Sequence, residues 1–135
     1  PASDAVHACG GDVDKFIGDC LFGAFKKPED AVEAGRRILA LVERLAKDGG
    51  PFTVRVGINA GRAVRANVGS GDRREYTYIG DAVNLAQRME SNATPGRVLV
   101  SAAVWRRLPR RPPARRRVVQ VKGKSKPVTA YEIGA

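Results

Sequence analysis

A chain of 135 residues, 43% of them hydrophobic, is long enough for one domain with a hydrophobic core and too short for two. Its apolar stretches are far shorter than the roughly 18–20 residues that span a bilayer, so no membrane segment is predicted within it. Its two cysteines and the lack of a signal-peptide pattern predict a reduced, cytoplasmic location. The net charge is +10, and residues 101–135 carry ten Lys or Arg against one acid, Glu132. Such a basic end is either a solvated arginine-rich surface or a site for polyanions.

Helix and strand patterns alternate along the chain. The first half predicts, in order, a helix end at residues 4–9, a β-hairpin of 13–17 and 20–25, and an amphipathic helix that begins at Pro28, has an apolar stripe reaching Leu45 and ends at Gly49-Gly50. Strands follow at 52–58, with Val54, Val56 and Ile58 on one face, and at 63–68. The second half predicts a strand at 75–79, a helix from Asp81 to about Ser91 with Asp81 as its N-cap, a strand at 98–100, a short helix capped by Ser101, an irregular loop at 109–117, and a hairpin of 118–121 and 127–133. This order indicates an α/β (α+β) fold, a mostly antiparallel sheet with helices packed on it.

Two segments combine residues that suit phosphate chemistry. Gly18 and Asp19 form the tip of the predicted hairpin, where an exposed carboxylate can bind a hard cation such as Mg²⁺. Asn84 and Arg88 are four residues apart and therefore project from one face of the predicted helix. An amide beside a guanidinium suits a phosphate whose charge changes during a reaction. Thr77 lies on the strand that leads into this helix, where its hydroxyl can contact a ligand edge. Each feature alone is usually a turn or a solvated pair, and only their ordered combination indicates a catalytic site.

That combination strongly resembles the class III adenylate and guanylate cyclases, over nearly the whole chain from Gly10 to Ile133. The segments that carry the resemblance are 14–19 (DKFIGD), 54–61 (VRVGINAG), 67–70 (NVGS), 73–76 (RREY), 76–90 (YTYIGDAVNLAQRME), 95–96 (PG) and 121–124 (VKGK). The resemblance implies a ferredoxin-like core that works as a head-to-tail pair of domains, with active sites at their interface.

The resemblance also implies roles for individual residues. Lys15 and Thr77 match the pair that reads the purine base. Asn84 matches the residue that orients the ribose, and Arg88 matches the one that stabilises the pentavalent phosphate. In the family these residues face metal-binding aspartates that come from the other subunit.

The implied cofactors are two divalent ions per site, Mg²⁺ or Mn²⁺. Asp19 matches the second of the two metal-binding aspartates, and Lys122 matches a lysine that contacts the terminal phosphates. The first metal aspartate of the family lies in a Phe-x-Asp-x-x-Gly-Phe-like segment, and these 135 residues contain no such segment. Residues 1–135 are therefore expected to be a partial catalytic domain that lacks the first strand and helices and is weak or inactive alone.

The base-reading pair favours ATP as the substrate. Guanylate cyclases usually have Glu and Cys at these two positions, whereas Lys15 can donate to adenine N1, which guanine presents as a donor. Thr77 stands where many adenylate cyclases have Asp, and a Lys/Thr pair resembles the subgroup that includes bicarbonate-responsive cyclases. The predicted function is an adenylate cyclase that makes 3′,5′-cyclic AMP and pyrophosphate from ATP, as a homodimer or paired with another cyclase domain.

Four alternatives stay open at this point. A guanylate cyclase is one, and a non-catalytic cyclase-like module for regulation or dimerisation is another, although the full set of family site residues speaks against degeneration. A related diguanylate cyclase is a third alternative, because Gly10-Gly11-Asp12 is superficially like the signature of that family. It is disfavoured because this tripeptide precedes the hairpin and does not form its tip. A nucleic-acid-binding module built on Arg106–Arg117 lacks interleaved aromatic residues other than the nearby Trp105, so no nucleic acid is expected.

Overall fold

A computed structural model gives the fold and describes residues 2–17, 20–47, 54–61, 64–68, 75–120 and 127–134. Side chains are described for residues 4–11, 21–45, 54–61, 80–120 and 127–134. The elements in these ranges are α1 Ala2–Ala8, β1 Asp12–Ile17, β2 Cys20–Ala24, α2 Pro28–Lys47, β3 Val56–Ile58, β4 Val64–Val68, β5 Glu75–Ile79, α3 Asp81–Asn92, β6 Val98–Ser101, α4 Ala102–Arg107, β7 Ala114–Val119 and β8 Val128–Ile133. In this part of the chain, no helix has both the length and the apolar character needed to cross a membrane.

A four-stranded sheet with the order β3-β6-β8-β7 forms the centre of the described fold. Strand β6 runs parallel to β3 and antiparallel to β8, and β8 pairs antiparallel with β7. Two antiparallel hairpins, β1 with β2 and β4 with β5, form separate two-stranded sheets. The prediction of a mostly antiparallel sheet with helices packed on it is therefore confirmed.

Helices cover both faces of the central strand β6, and all four of its residues are buried. On one face, Val100 shares a buried cluster with Leu39 of α2 and Val104 of α4. On the other face, Leu99 shares a buried cluster with Met89 of α3. Because side chains alternate along a strand, consecutive residues of β6 serve opposite layers. Each fully buried aliphatic side chain contributes roughly 1.5–3 kcal/mol, so both layers are fixed on the sheet.

The apolar residues around β3 lie on one face of the strand, as the sequence predicts. Val56 and Ile58 of β3, and Val54 just before it, pack against the cluster on the α2 side of the sheet. The intervening residues therefore point toward α3, on the opposite side.

The prediction for residues 109–117 is wrong in its second half. Strand β7 begins at Ala114, and Arg115, Arg116 and Arg117 pair with Glu132, Tyr131 and Ala130 of β8. Pro112, Pro113 and the run of arginines after them predict a loop. Pairing with β8 instead makes residues 114–119 an edge strand of the sheet.

Two predictions about helices also need correction, and one is confirmed. The N-cap of α3 is Gly80, not Asp81; Asp81 is the first helical residue and no side-chain hydrogen bond caps the helix. Leu45, predicted to lie in the apolar stripe of α2, is 45% exposed. Ser101 does cap α4, because its Oγ accepts a hydrogen bond from the Val104 amide at 3.4 Å.

Candidate active site

Helix α3 presents one exposed polar face. Asn84 and Arg88 are exposed, together with Asp81 and Ser91, while Met89 on the opposite side is fully buried. This confirms that the pair shares one face of a helix, as the four-residue spacing predicts. The side chains of Asn84 and Arg88 make no hydrogen bond or ion pair to another described residue. Both groups are thus free, within the described part of the molecule, to bind a ligand.

The chain enters α3 through a glycine in an unusual conformation. Gly80 has φ 140° and ψ 172°, a region that is essentially restricted to glycine. This single residue connects the end of β5 to the first turn of α3, so Thr77 on β5 lies just before the helix that carries Asn84 and Arg88. A side chain at position 80 would strain this connection.

Helix α3 is fixed along the length of β3. The Asn59 Nδ2 donates to the Ala82 carbonyl oxygen at 3.0 Å, at the N-terminal end of the helix. The Arg55 Nη2 lies 3.3 Å from the Glu90 Oε1, near its C-terminal end. Gly57 brings the strand backbone directly against the backbone of Met89 and Glu90, at the same end of the helix as the Arg55–Glu90 ion pair.

A shallow pocket of about 470 Å³ lies where the end of β3 meets the start of α3. The residues that line it are Asn59, Ala60, Gly61, Asp81, Ala82, Leu85 and Ala103. Its volume is within the range of small-molecule sites. Asp81 at its edge is one helical turn before Asn84, so the pocket adjoins the exposed face of α3.

The other predicted site residues are placed only in part. Lys15 lies on β1 opposite Phe22, and Thr77 lies on β5 opposite Ala66. Strands β1 and β5 contact each other, which brings the two backbone positions into the same region. The side chains of Lys15 and Thr77, and the whole of Asp19 and Lys122, lie outside what the structure describes.

Comparison with known proteins identifies the domain. Residues 15–134 match the family described as the adenylate and guanylate cyclase catalytic domain. The chain belongs to this class III nucleotide cyclase family. Domains of this family bind a nucleotide and act as dimers.

The curated relatives are much longer than this chain. An uncharacterized protein of Mycobacterium tuberculosis is 34% identical over 131 residues, which is 97% of this chain and 32% of that protein. The terminal-differentiation specific adenylate cyclase of Dictyostelium discoideum is 33% identical over 147 residues, covering 98% of this chain and 7% of that protein. The chain therefore spans a third or less of the length of these relatives.

Solved structures give the same fold. The adenylyl cyclase CyaB from P. aeruginosa aligns with a TM-score of 0.80 and 31% identity, over 99% of this chain and 76% of that one. The guanylyl cyclase Cya2 aligns with a TM-score of 0.83 and 28% identity, over 99% and 75%. Because both nucleotide specificities occur among these neighbours, the likeness establishes a nucleotide cyclase domain and leaves its purine open.

Divalent metals are general in this family, and their ligands are carboxylates. Among the described residues, no group of three or more His, Cys, Asp and Glu side chains could hold a metal ion. Asp19, which the sequence predicts to be a metal ligand, is outside the described ranges. The carboxylate chemistry of Asp19 suits Mg²⁺ or Mn²⁺, so the residue type fits the family cofactor.

Sequence reasoning missed the residues that hold α3 in place. Asn59 belongs to the VRVGINAG segment that contributes to the family resemblance, but nothing in the sequence assigns it a contact with a backbone 23 positions away. Trp105 is stacked on Tyr131, with ring centroids 4.4 Å apart, and therefore packs within the fold. This arrangement gives no support to a base-stacking role for Trp105 in nucleic-acid binding.

Proposed function

We propose that this domain is the catalytic domain of an adenylate cyclase, which converts ATP into 3′,5′-cyclic AMP and pyrophosphate at the interface of two domains. The observation that carries the proposal is the exposed pair of Asn84 and Arg88 on a helix that is itself fixed on the sheet. A rigid support is what a reacting group requires, because misplacement by about 1 Å can cost about a hundredfold in rate.

In the proposed reaction, the ribose 3′-oxygen forms a bond to the α-phosphorus, and the bond from the α-phosphorus to the bridging oxygen breaks. The electron pair leaves with pyrophosphate, and the proton of the 3′-hydroxyl passes to solvent or to the departing pyrophosphate. Arg88 donates hydrogen bonds to the α-phosphate oxygens and offsets the negative charge that develops there. Its guanidinium remains protonated at every working pH. Asn84 donates to or accepts from the ribose and holds the attacking oxygen in line.

Asp19 supplies one carboxylate of the metal site, and the family's other metal aspartate is not among these 135 residues. Two divalent ions, when bound, activate the attacking oxygen and neutralise the leaving group. Lys122 contacts the terminal phosphates. We call the protein that holds this chain together with the segment that supplies the first metal aspartate the complete enzyme.

Lys15 and Thr77 read the base. The Lys15 ammonium donates to N1 of adenine, whereas N1 of guanine carries a hydrogen and cannot accept. A buried donor left without an acceptor costs about 1–3 kcal/mol, which corresponds to about five- to 150-fold in kcat/KM. The backbone proximity of β1 and β5 supports a shared role for these two residues.

The test compares kcat/KM for ATP and GTP in the complete enzyme with Mg²⁺ or Mn²⁺. We expect ATP to be preferred, and we expect Lys15→Glu to lose that preference. Lys26→Glu makes the same charge change at an exposed position before α2 and should leave the preference intact. A preference for GTP in the unmodified enzyme would make the domain a guanylate cyclase, and turnover of neither nucleotide would favour a non-catalytic pairing module.

A further inference from the structure

The arginine-rich segment contains one residue that differs from the rest. Residues 101–120 include seven arginines and no acid, and six of the seven are exposed. Arg117 is the exception, with its side chain 30% exposed. Among the described residues, Arg117 is also the one arginine of this segment that forms an ion pair. Arg111 contacts Trp105 within its own segment, and a solvated surface explains the other exposed arginines, but neither explains Arg117.

Arg117 joins the sheet to the end of α3. Its Nη1 donates to the backbone carbonyl oxygen of Asn92, the last residue of α3, at 3.1 Å. The same nitrogen lies 3.1 Å from the Oε2 of Glu132 on β8. That oxygen also accepts a hydrogen bond from the Thr94 Oγ1 at 3.1 Å, and the Glu132 side chain is only 12% exposed. Glu132 is therefore held from two sides and orients the guanidinium of Arg117.

The C-terminal end of α3 lacks a cation of its own. The last carbonyl groups of a helix have no partner within the helix, and their dipoles favour a positive charge. The last turn of α3 contains no basic residue. Arg117, which comes from β7, supplies both a hydrogen-bond donor and a positive charge at this end.

A second hydrogen bond connects the residue that Arg117 contacts, Asn92, to Arg88. The Asn92 Nδ2 donates to the Arg88 carbonyl oxygen at 2.8 Å, so the residue that Arg117 holds is itself bonded to the backbone of Arg88. Met89 and Ala93 pack this end of α3 against Val119 of β7 and Ala130 of β8, and Arg117 adds the polar contact to the Asn92 carbonyl. Without Arg117, that carbonyl loses its donor, and helix termini open more readily than helix interiors. Arg88 is only one turn away and would be the reactive group most affected.

We propose that Arg117, oriented by Glu132, is a positioning residue of the cyclase reaction, which holds the last turn of α3 and thereby sets the placement of Arg88. The proposal rests on the proposed function, in which Arg88 acts on the α-phosphate. It assigns a role to one member of the basic segment and none to its exposed neighbours.

The test uses the complete enzyme with Arg117→Gln, the conservative variant Arg117→Lys, and Arg116→Gln as the matched control. Arg116 is the preceding residue of β7, is exposed, and points to the opposite face of the sheet, so its replacement removes the same charge. We expect Arg117→Gln to lower kcat by about ten- to hundredfold with little change in KM. Arg117→Lys keeps the charge and one donor and should recover part of the loss. Arg116→Gln should leave both constants near the original values.

Two further measurements distinguish a loss of positioning from a general loss of folded structure. Amide hydrogen exchange in residues 89–92 should become faster in Arg117→Gln and stay unchanged in Arg116→Gln, whether or not the protein is active. In a background of Arg88→Ala, Arg117→Gln should cause little additional loss of kcat, because it acts through Arg88.

Distinct outcomes overturn the inference and the proposed function. If Arg88→Ala loses turnover while Arg117→Gln behaves like Arg116→Gln, the positioning role is wrong and the function stands. A full additive loss in the double variant would also overturn positioning through Arg88. If Arg88→Ala keeps full turnover, the proposed role of Arg88 fails, and the inference fails with it.

Discussion

Gly57 of β3 lies directly beneath Glu90 of α3, and the two backbones are in contact. A Cβ at position 57 would lie 2.6 Å from the Glu90 Cα, which is closer than non-bonded carbon atoms approach. The atoms that such a Cβ would meet belong to the helix backbone and not to the flexible end of a side chain. The helix itself would therefore have to move. This contact determines how close the helix that carries Asn84 and Arg88 lies to the sheet.

Gly57→Ala is therefore expected to destabilise the complete enzyme by about 1–3 kcal/mol or more and to lower kcat. Denaturant unfolding and steady-state kinetics measure the two effects. Gly35→Ala is the control, because Gly35 of α2 packs on the opposite face of the sheet, where a Cβ would meet the Val56 Cγ1 at 3.2 Å. It should leave kcat near the original value. Normal kcat in Gly57→Ala would show that the spacing of α3 does not matter for turnover.

Asn59 provides a second test of how α3 is held. Asn59→Asp keeps the size of the side chain but removes the amide donor, so a carboxylate faces the Ala82 carbonyl. An unsatisfied, partly buried group costs about 1–3 kcal/mol, and we expect lower stability together with lower kcat. Ser91→Ala, which removes a hydrogen bond on the exposed face of the same helix, should change neither. Unaltered kcat and stability in Asn59→Asp would contradict this role.

The two reacting residues should differ from these supports in their kinetics. Asn84→Ala and Arg88→Ala each remove an exposed group without a described partner, so the free energy of unfolding should change by less than about 0.5 kcal/mol. Their kcat should fall much more than their affinity for ATP, because both groups act mainly on the transition state. Single-turnover rates and nucleotide binding measure the split. A variant that only raises KM would place its residue in ground-state binding.

The exposed face of α3 could be predicted from the sequence because it depends on local geometry. Residues four apart share a helix face wherever the helix lies, so Asn84 and Arg88 needed no tertiary information. The β1–β2 pairing could likewise be predicted, because Gly18-Asp19 between two apolar runs specifies a hairpin.

The contacts that hold α3 could not be predicted in this way. Arg117 looks like its neighbours in the sequence, and only the pairing of β7 with β8 turns it toward Glu132 and the end of α3. The same pairing overrides the local preference of 109–117 for a loop. The N-cap shows a similar limit: Asp81 is a good capping residue, but the turn after β5 needs the positive φ of Gly80 and places Asp81 inside the helix.

The central claim is that one chain supplies Asn84 and Arg88 while its partner supplies the metal aspartates. A two-fold dimer then has two equivalent sites, each built from both chains. Asp19→Ala and Arg88→Ala should each leave the complete enzyme with only a small residual activity, because every site carries one lesion. A mixed dimer has one site with both lesions and one site with neither.

The most direct measurement is cyclic AMP formation after these two impaired variants are mixed. With random exchange and independent sites, activity should approach about a quarter of the original value, since about half of the dimers are mixed and each has one intact site. Mixing Arg88→Ala with Asn84→Ala is the control; both lesions lie on the same side of the site, so no activity should return. Recovery in the first mixture and not in the second is the predicted result. No recovery in the first, with subunit exchange shown independently, would mean that these residues act within one chain and would contradict an interfacial site.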